Sequence, residues 1–312
     1  GDRVTASSLR HELLGRRDAD LTLEPDASTV GFVHRALAGA DVYVVVNTGS
    51  ATESFIAHPR SLRREPTDRW QLWSPDDAPV ITEGDSASPV EIRLAPYQAV
   101  VLVTGDFLPP ASVATAAAEP ANERALDTGW TARFLDAGES DEVSVELPHV
   151  WESERTGYAG RVEYRVAFDA TELWPGGLPK RVVLDFGSGE PEQQGEGGEA
   201  GIRGSSYRAL LRPPVGEIVG VGVNGTELGV LYAPPYEVDI ASALVAGANT
   251  LRLVVANVTA SAFADEAVRS AVDELVGVSR ELYGQRFRMQ DLDAATDGIR
   301  SGLLEVPRLR WA

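Results

Sequence analysis

Chemistry in this chain has to be found among its acids, histidines and aromatics. It has 47 Asp and Glu, four His and no Cys. The histidines are His11, His34, His58 and His149, and no two of them stand at the i, i+4 spacing with which a helix grips zinc. The missing cysteines remove disulfides, thiolate metal sites and cysteine nucleophiles together, and leave the redox compartment open. No Gly-x-Ser-x-Gly elbow and no P-loop is present. Gly220-Val-Gly222-Val-Asn-Gly225 has the look of a dinucleotide fingerprint, but it runs into a hairpin where such a fingerprint would open a helix. A glycosidase needs two placed carboxylates. Spacing singles out no pair among so many acids, and no βα repeat is available to build a barrel around one. They read as solvated surface charge, so no catalytic residue and no metal ligand is assigned.

Sugars are held by CH faces on aromatic rings, with amides, carboxylates and guanidinium groups on the hydroxyls. Trp151, Tyr158, Tyr232 and Tyr236 fall in predicted loops or at strand ends, and are the candidate carbohydrate contacts. Core packing competes for each. Trp130, Tyr164 and Phe168 alternate toward an interior, and Pro234-Pro235 reads as a stiff corner against which Tyr236 packs. Asn224 is a turn residue, since a type I′ hairpin calls for Asn-Gly. Asn257 reads as a backbone cap in preference to a calcium ligand. Both asparagines lie in Asn-x-Thr sequons.

The elements that must position these residues are mostly strands. From Thr29 the period is two, with strands expected at 30–35, 41–47, 53–57, 69–73, 90–94 and 99–104. Short strands at this spacing make a β-sandwich. Phe107–Ala125 is rich in Ala and Pro and reads as linker. A second run of strands extends from Trp130 to Arg310, with a hairpin turn at Asn224-Gly225. The Gly- and Glu-rich stretch 187–204 reads as a loop that folding does not require. Ala262–Tyr283 has helical spacing through Phe263, Ala267, Ala271, Leu275, Val278 and Leu282, with Asp265 and Glu266 in the first turn. A lone helix of this kind is expected to pack across a sheet edge. The division is therefore 1–27, remnant of a preceding domain; 28–107, a sandwich; 108–126, linker; and 127–312, a second sandwich.

At 312 residues and 43% hydrophobic, the chain can bury two cores. Its formal charge of −19 repels phosphate backbones, which argues against nucleic acid and anionic membranes as partners. Lys180 is the one lysine among 28 basic residues, as GC-rich codon usage in a bacterium would produce. No apolar run reaches the length of a membrane span. The opening GDRVTASSLR has no signal-peptide run, and a secreted or periplasmic location is expected only if the full protein carries one.

Val30-Gly-Phe-Val-His-Arg35 followed by Ala40-Asp-Val-Tyr-Val-Val-Val-Asn47 resembles a hairpin of the α-L-rhamnosidase-type glycoside hydrolases of family 106. Trp70-Gln-Leu-Trp73-Ser-Pro-Asp and Leu94-Ala-Pro-Tyr97-Gln-Ala-Val-Val-Leu-Val are similar to later strands of the same domain. Val221-Gly-Val-Asn-Gly225, Gly229–Asp239, Gly247-Ala-Asn-Thr-Leu251 and Ser301-Gly-Leu-Leu-Glu-Val-Pro-Arg308 resemble that family's terminal galactose-binding-like jelly roll. That last domain is equally at home among β-galactosidase and β-glucuronidase relatives.

The resemblance covers 28–312 and implies an all-β fold of two β-sandwich domains, the second a jelly roll with one inserted helix. It further implies a partner barrel, preceding the matched region, that holds calcium and the catalytic acids. This chain is then a non-catalytic accessory region, its partners that barrel and a rhamnose-containing glycan, with no cofactor placed in the chain itself. Two other roles fit the same residues, a free-standing lectin-like protein and a purely structural brace. The acidic stretch 187–204 and the helix depart from the family pattern.

Overall fold

The computed structural model describes residues 19–64, 69–74, 82–105, 121–138, 141–192, 209–284 and 299–312. The chain divides into two compact units, one formed by 1–117 with 191–211, the other by 118–190 with 212–312.

The first unit is a sandwich of two antiparallel sheets. Its strands are β1 (Leu21–Glu24), β2 (Val30–Leu37), β3 (Ala40–Asn47), β4 (Glu53–Pro59), β5 (Arg69–Trp73), β6 (Thr82–Asp85), β7 (Val90–Leu94) and β8 (Ala99–Gly105), with a short helix α1 (Arg60–Arg64) after β4. One sheet runs β1-β4-β7, the other β2-β3-β8-β5-β6. Period-two sequence makes the core. Phe55, Ala57, Val90, Ile92 and Leu94 face Tyr43, Val45, Leu72, Val100 and Leu102 across the interior. Leu21 belongs to this core and β1 pairs with β4, so Leu21–Glu24 is a strand of the first sandwich and not a leftover. Their alternating Leu21 and Leu23 need the apolar face of β4 to cover them.

The first strand of the second unit is β9 (Asn122–Ala125), inside the stretch read as linker. The unit continues through β10 (Trp130–Phe134), β11 (Val143–Val145), β12 (His149–Val150), β13 (Arg161–Asp169), helix α2 (Ala170–Leu173), β14 (Val182–Asp185) and β15 (Glu190–Pro191). Then come β16 (Leu211–Arg212), β17 (Ile218–Val223), β18 (Thr226–Leu231), β19 (Glu237–Asp239), β20 (Ala248–Ala256), helix α3 (Glu266–Tyr283), β21 (Gly302–Leu303) and β22 (Arg308–Trp311). A six-stranded antiparallel sheet, β11-β10-β13-β20-β17-β18, faces a four-stranded one, β19-β14-β22-β9. Trp130, Tyr164, Val221, Leu251 and Leu253 from the first sheet pack on Leu184 and Leu309 from the second. The molecule is thus all-β, two sandwiches with few helices. Most of the 187–204 loop lies outside the described residues.

The Asn224-Gly225 turn has both residues at positive φ, 53° and 83°, as a type I′ hairpin requires. Asn224 adds more than a turn. Its amide donates to the Ala243 carbonyl and to Asn249 Oδ1, and its Oδ1 accepts from Thr250 N, tying the hairpin to the loop ahead of β20.

The inserted helix departs from expectation in two ways. Residues 259–264 form a 3-10 turn, and the α-helix starts at Glu266 because Asp265 is extended and caps Ala267 N and Val268 N. The stripe of Leu275, Val278 and Leu282 faces outward, Leu275 at 66% exposure, while Val276 on the neighbouring stripe is buried. Two apolar stripes lie side by side on this helix, and the inner one is the β-branched pair Val272 and Val276.

Candidate functional site

The four proposed carbohydrate contacts do not form one site. Trp151 opens a 3-10 turn after β12 and is fully buried. Its ring meets Phe134 and Tyr158 edge to face, at centroid distances of 6.1 and 5.7 Å. Tyr158 is half-buried, donating its hydroxyl to the Arg161 carbonyl and accepting from Asp136 N, and burial raises its pKa. Tyr236, after the Pro234-Pro235 corner, is 6% exposed. Its phenol is pushed up to about 12 by burial, to which the charge of Glu217 adds. Tyr232 alone of the four is open, at 64% exposure. An aromatic with no free face cannot stack on a sugar, so in this structure Trp151 and Tyr236 are packing residues.

What surrounds Trp151 is a buried polar knot that the sequence did not disclose. His149 Nδ1 lies 2.7 Å from Tyr164 Oη, and Trp151 Nε1 donates to the same oxygen at 2.6 Å. A carboxylate can only accept, so His149 Nε2 carries the ring proton toward Glu154 and, in the neutral imidazole, Nδ1 accepts from the Tyr164 hydroxyl. His149 is then the Nε2–H tautomer and donates to Glu154 Oε1 at 3.0 Å. Burial raises the Tyr164 pKa well above that of an ordinary phenol, which keeps the donating proton in place. Beside the knot, Asn257 donates to the Tyr158 carbonyl and Ser301 Oγ and accepts from Gly160 N, while Glu152 accepts from Ser301 N. These bonds splice the 149–160 loop to β20 and to the last segment of the chain. Asn257 caps backbone here, as its spacing suggested.

The densest charge cluster lies on the outer face of the six-stranded sheet. Glu163 on β13 is buried, and its carboxylate accepts from Arg133 at 3.1 Å, Arg165 at 3.1 Å and Arg252 at 2.6 Å. Arg252 also reaches Glu227 at 2.9 Å. Burial alone would raise the Glu163 pKa, but the Arg252 hydrogen bond and the charges of Arg165 and Arg252 outweigh it and hold the carboxyl below its ordinary range. Two other carboxyls go the opposite way. Glu217 is raised by burial, and Glu305 by burial with Glu190 and Asp185 adding, against a hydrogen bond from Gly189 N. Among the described residues no group of three or more His, Asp or Glu is disposed to hold a metal ion. Nor is any helix of the described residues long and apolar enough to cross a membrane.

No protein-family model matches this sequence, and no curated protein matches it. Solved structures do. A rhamnosidase from Novosphingobium sp. PP1Y superposes over 98% of the chain with a TM-score of 0.57 at 23% identity. The chain has the fold of the part of that rhamnosidase on which it superposes. It spans 26% of that rhamnosidase's length. An FMN-binding β-glucuronidase from Facaelibacterium prausnitzii L2-6 matches 61% of the chain and 22% of its own length, at TM-score 0.35 and 18% identity. A GH2 β-galacturonidase from Eisenbergiella tayi matches 61% and 24% of its own length, at TM-score 0.35 and 14% identity.

Proposed function

We propose that this chain is a non-catalytic accessory region of a glycoside hydrolase acting on α-L-rhamnosides, ending in a galactose-binding-like jelly roll and bracing a catalytic barrel supplied from outside these residues. The observation that carries the reading is the fold match along nearly the whole chain to a quarter of a rhamnosidase. A brace also needs a surface for its partner. Strand β2, at a sheet edge, leaves Phe32, Val33 and Leu37 exposed, and an uncovered apolar edge strand is the kind of feature a neighbouring domain covers. The buried knot around Tyr164 fits the same role, since it stiffens loops without opening a cleft.

The test is enzymatic. The purified 312-residue chain should release no 4-nitrophenol from an aryl α-L-rhamnoside. Turnover that follows the chain through purification and disappears on replacing one of its own carboxylates would refute the proposal. Charging the edge with Phe32→Asp should leave the isolated chain folded and weaken its association with a rhamnosidase barrel expressed separately. Equal association of variant and parent would count against β2 as the bracing edge.

A further inference from the structure

Strand β2 leaves a row of backbone groups unpaired at the edge of the five-stranded sheet. Hydrogen bonds along a strand alternate between its two neighbours. Asn47 N donates to the Gln98 carbonyl at 2.9 Å, so Asp41, Tyr43, Val45 and Asn47 of β3 bond toward β8. Val42, Val44 and Val46 therefore bond toward β2, where they lie opposite Arg35, Val33 and Gly31. The alternate residues, Phe32, His34 and Ala36, turn their N–H and C=O groups away from the sheet. Val30 does the same, and its amide is taken by the Ala27 carbonyl at 3.1 Å. Among the described residues, none makes a backbone hydrogen bond to the outward groups of the other three.

This edge lacks the devices that keep other edges from pairing. It is eight residues long, with no Pro and no Lys, and its pairing with β3 runs from Val30 to Leu37 without a register shift. Val33 is 56% exposed and Leu37 62%. Residues opposite each other share a face of the sheet. Phe32 and His34 are opposite the buried Val45 and Tyr43, which puts them on the core side, and Val33, Arg35 and Leu37 on the outer side. There Arg35 stands between two exposed apolar residues and opposite Val42, with no ion-pair partner among the described residues. Asp20 and Asp41 are taken up with His34 on the other side.

We propose that β2 is a strand-addition site, at which an extended segment of the catalytic module pairs antiparallel and extends the five-stranded sheet. The segment has the pattern apolar-x-acid-x-apolar, its carboxylate on Arg35 and its apolar side chains against Val33 and Leu37. The assignment rests on the reading of β2 as the bracing edge, and gives that contact a backbone chemistry. Donors and acceptors that recur at every second residue, about 6.8 Å apart, match an extended backbone and not a helix or a bare apolar surface. The side-chain pairs across the new junction then select among strands. Opposite charges facing each other stabilise such a pair and like charges oppose it. The planar fork of arginine suits a carboxylate in particular. A second copy of this chain offers Arg35 nothing at this edge, because β2 contains no acid.

The probes are a capped peptide, STVTETVTS, and its lysine twin, STVTKTVTS, titrated into the isotope-labelled full chain and followed by NMR. The glutamate peptide should bind at millimolar concentration or below and protect the amides of Phe32, His34 and Ala36 from exchange. The lysine twin should bind at least about fivefold more weakly, and Arg35→Glu should reverse the order of the two. Ala36→Pro removes one outward donor and no bond of the β2–β3 ladder. Pro is tolerated on an edge strand whose nitrogen faces solvent, so the Tm should stay within about 2 °C of the parent's while peptide affinity falls at least about threefold. Should that variant fail to fold, the Arg35→Glu reversal and the amide protection still decide. No binding of the glutamate peptide at millimolar concentration would overturn the proposal, as would equal affinity for the two peptides. Binding that leaves the three amides exchanging freely would mean side-chain adhesion without a strand, and overturn it too. If those amides are already protected in a chain that self-associates without peptide, a second copy is the occupant and the assignment is wrong. Association with the separately expressed barrel tells this proposal from the bracing reading. Weakening by both Phe32→Asp and Ala36→Pro supports strand addition, whereas weakening by Phe32→Asp alone leaves the brace standing and refutes the added strand.

Discussion

Tyr164→Phe removes one oxygen from the centre of the second sandwich and should cost far more than that atom suggests. The ring stays, so packing against Trp130 at 6.5 Å is kept. What goes is a hydroxyl that accepts from Trp151 Nε1 and donates to His149 Nδ1. Trp151 is completely buried and His149 is nearly so, which leaves water little access to the abandoned groups. A buried polar group left without its partner costs about 1–3 kcal/mol. At the low end, two such groups give about 2 kcal/mol, against about 1 kcal/mol for losing one average hydrogen bond. For a unit of this size, about 2–4 °C per kcal/mol makes that a fall of roughly 4–8 °C in Tm.

Differential scanning calorimetry suits the measurement, because it can separate the transitions of two units. The expected result is a lowered transition for one unit and an unmoved one for the other. The Trp151 indole proton, followed by NMR, should lose its protection from exchange in the variant. A variant melting within about 2 °C of the parent would show that the two partners find other bonds at little cost. The inferred proton arrangement, with Tyr164 donating to His149, would then be wrong.

Three further outcomes follow from named contacts. Tyr236→Ala should cost about 3 kcal/mol or more, as truncating a buried aromatic does, and a variant that melts like the parent would contradict its burial. Glu305→Gln should stabilise the chain at neutral pH. The folded state raises this carboxyl's pKa, so it binds the proton more tightly than the unfolded chain, and stability is lost as pH rises through the folded value. The gap between variant and parent should therefore close in acid, and a gap that widens there would reverse the sign. On the helix, Leu275→Ser should change stability by less than about 0.5 kcal/mol, while Val276→Ser should cost about 1–3 kcal/mol; the reverse order would mean that the outer stripe is the packed one.

Sequence disclosed the parts of this molecule that rest on local pattern. Alternation in 99–104 placed Val100 and Leu102 inward, and Asn224-Gly225 marked its hairpin, because both signals lie within a few neighbouring residues. Strand β9 could not be seen in the same way. Asn122-Glu-Arg-Ala125 is polar and exposed throughout, and becomes a strand only by pairing with Arg308–Trp311 at the far end of the chain. The face of helix α3 was equally hidden. Leu275, Val278 and Leu282 make the more hydrophobic stripe, and propensity says nothing about which of two adjacent stripes finds a partner. Of the aromatics, spacing could place Trp151, Tyr232 and Tyr236 near strand ends. Whether a ring there points in or out depends on what crosses above it.

The same limit bears on Gly220-Val-Gly222. In sequence it has the look of a nucleotide loop but reads as a strand, because it runs into a hairpin. The strand pairings settle its conformation as extended, with Val219, Val221 and Val223 facing the core. They also place Gly220 on the outer face, opposite Val230 and Val254 and beside a register shift between β17 and β18 at Val221/Gly222. A strand glycine can be read only against its neighbours, and here the neighbour is a register shift with β18 that no local run of residues announces.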